Sequence, residues 1–127
     1  MLEGVAFAFL DGQQALLDGG ASIDTVTLVG GGSRSTLWAR ILADTLGRTM
    51  IRRSGADVGA ALGAARLGRL ARTNEAVASV CTAPPEIDRF TPDARRHEMF
   101  AQRHLQFQRL YATLKSEMQA PPIKETP

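Results

Sequence analysis

The architecture of this chain follows from the segment Leu28-Val29-Gly30-Gly31-Gly32-Ser33-Arg34-Ser35-Thr36-Leu37-Trp38. A short apolar strand leads into three glycines, and residues rich in hydroxyl groups then begin an amphipathic helix. Glycine has no Cβ, so a ligand can lie directly against its backbone. The first N–H groups of the following helix have no intrahelical partners and carry the positive end of the helix dipole. Anions and polar rings suit that position, so the pattern is typical of a nucleotide-binding turn.

The spacing of the glycines differs from that of two well-known phosphate-binding loops. A dinucleotide fingerprint would need glycines at positions 30, 32 and 35, and position 35 is a serine. A P-loop ends in Gly-Lys-Ser/Thr, and this turn has no such triplet. The spacing is equally compatible with a tight strand-to-helix turn that binds nothing and uses Ser33 or Ser35 as the helix N-cap.

Length and composition limit the class of protein. A chain of 127 residues fits one domain with a usable core. Its net charge of +2 is too balanced to indicate a nucleic-acid surface. The single cysteine, Cys81, rules out an internal disulfide and fits a reducing compartment. No apolar run approaches the roughly 20 residues of a membrane span, and the N-terminus lacks a secretion signal, so we expect a cytoplasmic protein without a membrane partner.

Hydrophobic spacing predicts alternating helices and short strands. The predicted helices are Leu2 to Asp18, Thr36 to Leu46, Val58 to Leu70, a short one within residues 74–80, and His97 to Met118. The predicted strands are Asp24 to Val29 and Thr49 to Arg52. Prolines between residues 84 and 93 predict a long surface loop. A domain over residues 1–118 would thus be followed by a disordered tail, residues 119–127.

Several side chains have predicted local roles. Gly47 is expected to end the second helix, and Asp57 is expected to be the N-cap of the third. Trp38 belongs to the apolar stripe of its helix, which favours a core position over a stacking role on adenine. Arg52 and Arg53 are expected to be exposed side chains at the end of a strand rather than phosphate ligands.

Side-chain size and spacing also predict how the helices pack. The first helix carries the apolar stripe Leu2, Val5, Phe9, Leu16 and Leu17, and the second carries Leu37, Trp38, Ile41, Leu42 and Leu46. Glycines and alanines leave little bulk on the third helix, which favours close packing by a neighbour. The last helix has one apolar seam, formed by Phe100, His104, Phe107, Tyr111, Leu114 and Met118. His104 within that seam is expected to be a semi-buried histidine rather than a metal ligand.

Three motifs in order resemble the C-terminal domain of FGGY-family carbohydrate kinases, and most of all its xylulokinase branch. They are the glycine segment 28–38, Ile41-Leu42-Ala43-Asp44, and Gly59-Ala60-Ala61-Leu62-Gly63-Ala64-Ala65-Arg66-Leu67. The similarity runs from Leu2 to about Met118 and corresponds to the last portion of such an enzyme. It implies an α/β fold: a partial ribonuclease H-like domain of the actin-like ATPase superfamily, helix-rich with a short sheet.

The resemblance implies how the site would work. In this family ATP lies between two domains, and a sugar hydroxyl attacks the γ-phosphorus after losing its proton to an aspartate. The sugar pocket, that aspartate and most of the Mg²⁺ site would belong to a missing N-terminal domain, so we expect no catalytic residue and no metal ligand here. Gly31 and Gly32 would lie against the nucleoside and α-phosphate, Ser33 would donate or cap at the helix start, and Thr36 would face the adenine edge.

The implied reaction is ATP plus D-xylulose giving ADP plus D-xylulose 5-phosphate, with no activity from this chain alone. Expected partners are ATP and a sugar bound through the missing domain. A homodimer with a second copy of the chain is a further possibility. The resemblance also places Gly4 where the first helix crosses a helix of the N-terminal domain. Two alternatives remain open: a fragment of a ribulose, gluconate or glycerol kinase, or a free-standing, non-catalytic nucleotide-binding or oligomerisation module.

Overall fold

The computed structural model describes residues 1–119. Apart from Gln119, the tail predicted to be disordered lies outside the described residues. The elements in chain order are α1 (Leu2–Asp18), β1 (Thr25–Leu28), α2 (Thr36–Leu46), β2 (Thr49–Arg53), α3 (Gly59–Arg72), α4 (Val77–Val80), β3 (Glu86–Phe90) and α5 (Ala94–Met118). Short 3₁₀ turns precede α2 and α3, at Gly31–Arg34 and Ala56–Val58.

Helices α1 and α2 have the predicted bounds. Helix α2 ends at Leu46, and Gly47 follows as the C-cap with a left-handed φ of 62°. The start of α3 differs from the prediction, because Asp57 lies inside a 3₁₀ turn and no side chain caps the helix. The Asp57 carboxylate instead accepts hydrogen bonds from Arg34.

The predicted loop between residues 84 and 93 is wrong, because it contains strand β3. Pro84, Pro85 and Pro92 flank this strand rather than interrupt it, so its amide groups remain free to pair. Helix α5 also begins three residues before the predicted start. Asp93 explains the earlier start, since its Oδ1 accepts a hydrogen bond of 2.9 Å from the Arg96 amide in the first turn.

The strands form a mixed sheet in the order β1-β2-β3. Strands β1 and β2 are parallel and are joined through α2, whereas β3 runs antiparallel to β2. Helix α2 packs between the sheet and the helices α1 and α5. The buried core consists of Ala6, Leu28, Ala39, Leu42, Ala43, Leu46 and Met50. This arrangement places the carboxyl end of β1 and the start of α2 at one edge of the domain.

Buried Asp44 fastens the start of α5 to the end of α2. Its Oδ1 accepts from the Asp93 amide at 2.8 Å, and its Oδ2 accepts from Arg96 Nε at 2.7 Å. The Asp44 carbonyl lies 2.8 Å from His97 Nδ1. These contacts satisfy a carboxylate whose side chain is only 4% exposed.

Helix α1 docks through a different face from the stripe that its sequence suggested. Ala6 and Phe7 are buried, whereas Val5 and Phe9 are 48% and 56% exposed. Both faces of α1 are apolar, so periodicity alone does not identify the one that docks. Leu37, expected in the buried stripe of α2, is also exposed, at 63%.

Aromatic side chains join α1 to the first half of α5. The ring of Phe7 lies 6.4 Å from Phe100, 5.5 Å from His104 and 5.5 Å from Phe107, measured between centroids. His104 is semi-buried, as predicted, and its Nε2 lies 2.8 Å from an Asp11 carboxylate oxygen. The second half of the seam, Tyr111, Leu114 and Met118, is exposed.

Helix α3 is the least embedded of the long helices, and none of its residues is buried. A Cβ built at Gly63 or Gly68 would meet nothing within 4 Å. Of the predicted small-residue face, Gly59 packs on Val29, with a built Cβ 3.4 Å from that side chain, whereas Gly63 and Gly68 have no such neighbour among residues 1–119.

Within residues 1–119, no helix combines the length and the apolar character that crossing a membrane requires.

Candidate functional site

The glycine turn, residues 30–35, leaves β1 at its carboxyl end and leads into α2. Gly30 has φ 81° and ψ −178°, a left-handed conformation that favours glycine. Its amide donates to the Ala56 carbonyl at 2.8 Å, which joins this turn to the one before α3. The Ser33 amide closes the turn by donating to the Gly30 carbonyl at 3.0 Å.

The backbone of this turn is open on one side. Gly31 is exposed, and a Cβ built on it would meet nothing within 4 Å. Thr36, the first residue of α2, is exposed as well. At Gly31 the turn is therefore not covered by the protein's own side chains, and a ligand has access to its backbone.

The structure decides which serine caps α2. Ser35 has extended backbone geometry, and its Oγ accepts a hydrogen bond of 3.2 Å from the Trp38 amide. Ser33 lies earlier, inside the 3₁₀ turn, and is only 3% exposed. Ser35 is thus the N-cap, and Ser33 is a buried part of the turn.

Grooves flank the glycine turn on two sides. An apolar groove of about 220 Å³ runs beside Gly32 and Ser33, with Phe9 and Trp38 among its walls. Trp38 is half-buried against the core, and a Cβ on Gly32 would lie only 3.3 Å from its Cδ1. A more open groove of about 370 Å³ lies on the other side and is lined by Ser33, Arg34, Arg52, Arg53, Gly55, Ala56, Asp57 and Ile87.

Charged pairs border the open groove. Arg34 Nη2 lies 2.5 Å from Asp57 Oδ2, and this hydrogen bond lowers the pKa of the Asp57 carboxyl below its ordinary value. The arginine side chain is 74% exposed, so solvent screens the pair. Together with the hydrogen bond from the Gly30 amide to the Ala56 carbonyl, the pair links the glycine turn to the start of α3.

Both arginines at the end of β2 donate hydrogen bonds to other residues of the protein. Arg52, whose side chain is 22% exposed, pairs with Asp88 and donates to the carbonyls of Ser33 and Arg34. Arg53 donates to the Pro84 carbonyl at 3.0 Å. Both are partly buried, so the expectation of exposed strand-end side chains is wrong. Sequence reasoning missed the contacts of Arg52 because its partner Asp88 lies on β3, which was predicted to be a loop.

Of the four residues proposed from the sequence, Gly31, Gly32 and Thr36 are exposed around one turn, and Ser33 lies beneath them. Within the described residues 1–119, no three His, Cys, Asp or Glu side chains are placed to hold a metal ion. The geometry therefore offers backbone and apolar surface to a ligand, without a metal centre among these residues.

The helix-rich fold with its short mixed sheet is part of a domain of the actin-like ATPase type. The model of the FGGY family of carbohydrate kinases, C-terminal domain, matches residues 1–72. The chain belongs to this family.

Known proteins resemble the chain well beyond the matched residues. It is 40% identical over 115 residues to the xylulose kinase of Escherichia coli K12 and 37% identical over 119 residues to that of Klebsiella pneumoniae. These alignments cover 90% and 93% of this chain but only 24% of each relative. The chain thus spans about a quarter of the length of these relatives.

A crystal structure described as a xyloylose kinase from Brucella ovis matches with a TM-score of 0.79 at 37% identity. The match covers 91% of this chain and 24% of that chain. The comparisons confirm the predicted family, the similarity to xylulose kinases, and the fold class.

Proposed function

We propose that this chain provides the adenosine side of the ATP site in a xylulose kinase. The observation that carries the proposal is the open Gly31 backbone, which lies at the carboxyl end of β1 in a chain of the FGGY family. Ligands of open α/β sheets bind at the carboxyl ends of strands, where the backbone and helix N-terminus face the crevice.

Three residues would contact the nucleotide, and a fourth would support them. The backbones of Gly31 and Gly32 would lie against the ribose and α-phosphate, with open space at Gly31 and the Trp38 ring beside Gly32. Ser33 would keep the turn closed through the hydrogen bond that its amide donates to the Gly30 carbonyl. Thr36, exposed at the first position of α2, would donate or accept at the adenine edge.

The backbone and hydroxyl groups of the glycine turn and Thr36 fit a nucleoside better than a metal ion. Mg²⁺ prefers carboxylate and other oxygen ligands, and residues 1–119 supply no such cluster. We propose that most ligands of the Mg²⁺ ion belong to the part of the kinase that this chain does not span. The bound ion would neutralise phosphate charge. The Asp57 carboxylate is unsuited to that role because Arg34 already occupies it.

In the whole enzyme, the reaction would be ATP plus D-xylulose giving ADP plus D-xylulose 5-phosphate. The sugar and the aspartate that accepts its proton would lie on the N-terminal part of such an enzyme, which this sequence does not span. The chain alone should therefore bind nucleotide weakly without transferring phosphate. We place this chemistry in the cytoplasm, where ATP is abundant and the exposed Cys81 would stay reduced.

Trp38 provides a direct test because it is the sole tryptophan and packs against Gly32. Titration with ATP and Mg²⁺ should change its fluorescence and saturate. Gly31→Val should weaken ATP binding by about tenfold or more, since the new side chain projects into the space that the ligand would occupy. Open space around the Gly31 Cβ position means that this change need not disturb the fold.

Gly12→Ala is the matched control, because its Cβ also meets nothing within 4 Å but lies on α1, away from the glycine turn. It should bind ATP as the unchanged chain does. A chain that shows no saturable response to ATP, or a Gly31→Val variant that binds equally well, would contradict the proposal. Release of ADP with D-xylulose by the chain alone would refute the assignment of catalysis to the missing domain.

A second candidate function is a self-associating module. Helix α1 exposes the apolar side chains Leu2, Val5, Phe9 and Leu16, at 46% to 59%. An apolar stripe of this kind is typical of a covered surface. A second copy could cover it in a homodimer, or the N-terminal domain could cover it in a complete kinase. Gly4, the proposed helix crossing, lies on another face of α1, where a Cβ built on it would be 3.8 Å from the Phe107 ring of α5.

A further inference from the structure

Arg52 lies behind the glycine turn, on the central strand of the sheet. It pairs in register with Leu28, the last residue of β1, on one side and with Asp88 of β3 on the other. The guanidinium lies over the Phe90 ring, 5.7 Å from its centroid. Strand pairing and the Phe90 ring restrict the orientation of the Arg52 side chain. The sheet, rather than the turn, therefore sets this orientation.

The guanidinium of Arg52 divides its donors between two partners. Its Nε donates to Asp88 Oδ2 at 2.7 Å, and Nη2 makes a second, short contact with the same oxygen. Its Nη1 donates to the Ser33 carbonyl at 3.1 Å and to the Arg34 carbonyl at 3.3 Å. The carboxylate fixes one edge of a planar group, and the other edge then faces two consecutive peptide carbonyls.

Those carbonyls belong to the last peptides before Ser35, the N-cap of α2. When both carbonyls are held toward the sheet, the orientation of the turn is fixed between Gly30 and α2. The Gly30 and Ser33 amides are also held by hydrogen bonds, whereas Gly31 itself has no neighbour around its Cβ position. A turn that is ordered before the ligand arrives loses less entropy on binding.

We propose that Arg52 is a positioning residue for the nucleotide. Held by Asp88, it fixes the carbonyls of Ser33 and Arg34 and thereby presets the open face of the glycine turn. The inference deepens the proposed function and rests on it. It assigns Arg52 an indirect role: the side chain borders the open groove, but its three nitrogens donate to protein oxygens.

Neighbouring arginines lack this arrangement. Arg53 donates to the Pro84 carbonyl and does not contact the turn. Arg89, on β3, pairs with Glu86 through two nitrogens, as Arg52 pairs with Asp88, but it reaches no turn carbonyl. Arg89 is therefore the matched control for the loss of an arginine–carboxylate pair in the same sheet.

The test uses Arg52→Lys, which keeps the charge but loses the planar fork. We expect ATP binding, measured by Trp38 fluorescence, to weaken about tenfold. Amide hydrogen exchange at residues 31–38 of the nucleotide-free chain should become faster by a similar factor. Asp88→Asn should give smaller changes in the same direction, because it releases the guanidinium without shortening it.

Two controls separate positioning from general destabilisation. Arg89→Lys should change neither measurement. Phe100→Leu should lower the unfolding temperature through the contact between α1 and α5 while leaving ATP affinity and exchange in the turn unchanged. Weaker ATP binding in Phe100→Leu to the same extent as in Arg52→Lys would overturn the inference.

The outcomes also separate this inference from the proposed function. If the unchanged chain fails to bind ATP, the proposed function fails, and exchange alone decides whether Arg52 orders the turn. Unchanged exchange in Arg52→Lys and Asp88→Asn would overturn the inference whatever the affinity for ATP. Weaker binding without faster exchange would also overturn it, because Arg52 would then act on the nucleotide directly.

Discussion

Gly47 illustrates how a single residue can be fixed by two independent constraints. Its φ of 62° is unfavourable for any residue with a Cβ, and a Cβ there would lie 2.7 Å from His97 Cε1. The sequence predicted the first constraint, since glycine commonly ends a helix. The second depends on the docking of α5, which brings His97 over the turn.

We expect Gly47→Ala to lower the free energy of unfolding by about 2 kcal/mol, from backbone strain and displacement of the His97 ring. Urea denaturation measures this loss. Gly12→Ala is the control, and we expect it to be about 0.5 to 1 kcal/mol more stable than the unchanged chain, since alanine favours a helix interior. Equal midpoints for Gly47→Ala and the unchanged chain would show that neither constraint operates.

At the scale of elements, α2 holds the site because it connects the glycine turn to the core. Ser35 caps the start of this helix, and Ala39, Leu42 and Ala43 bury its inner side. The sequence gives the bounds of α2 correctly, because both ends carry strong local signals. Strand β3 was missed since its few residues lie between prolines and show no local pattern.

Removal of the Ser35 cap tests the contribution of that local signal. Ser35→Ala should destabilise the chain by about 1 kcal/mol, because the Trp38 amide loses its acceptor. Ser35→Asn retains a capping oxygen and should stay within a few tenths of a kcal/mol of the unchanged chain. Circular dichroism during thermal unfolding measures both variants, and a Ser35→Ala variant as stable as Ser35→Asn would refute the capping role.

At the scale of the whole molecule, apolar surface remains uncovered on α1, on α3 and on the second half of α5. Examples are Val5 at 48%, Leu67 at 69% and Leu110 at 58%. The relatives are about four times longer, since the chain spans 24% of them. We propose that either a second copy of the chain or polypeptide present in the longer relatives covers the α1 stripe.

Light scattering tests the second of these possibilities. If the α1 stripe joins two copies, the mean mass should rise with concentration, and Val5→Lys should reduce that rise because a buried charge is costly. Leu67→Lys places the same charge on exposed α3 and should leave association unchanged. A mass that stays monomeric at every concentration, with and without ATP, would contradict the self-associating module.

The candidate site was only partly predictable from sequence. The turn between β1 and α2 and its open glycines follow from residues adjacent in the chain, whose conformations depend on local sterics. The support behind that turn does not. Arg52 and Asp88 are far apart in sequence, and only the antiparallel pairing of β2 with β3 brings them together.

The sequence by itself determined the family, the bounds of α1 and α2, and the position of the glycine turn. Those features depend on glycine geometry, helix end signals and motif order, which act within a few residues. Only the tertiary structure decided which face of α1 docks, which residues pair with Asp57 and Arg52, and whether a third strand completes the sheet. These outcomes depend on contacts between distant segments, and apolar spacing alone cannot choose among surfaces of equal hydrophobicity.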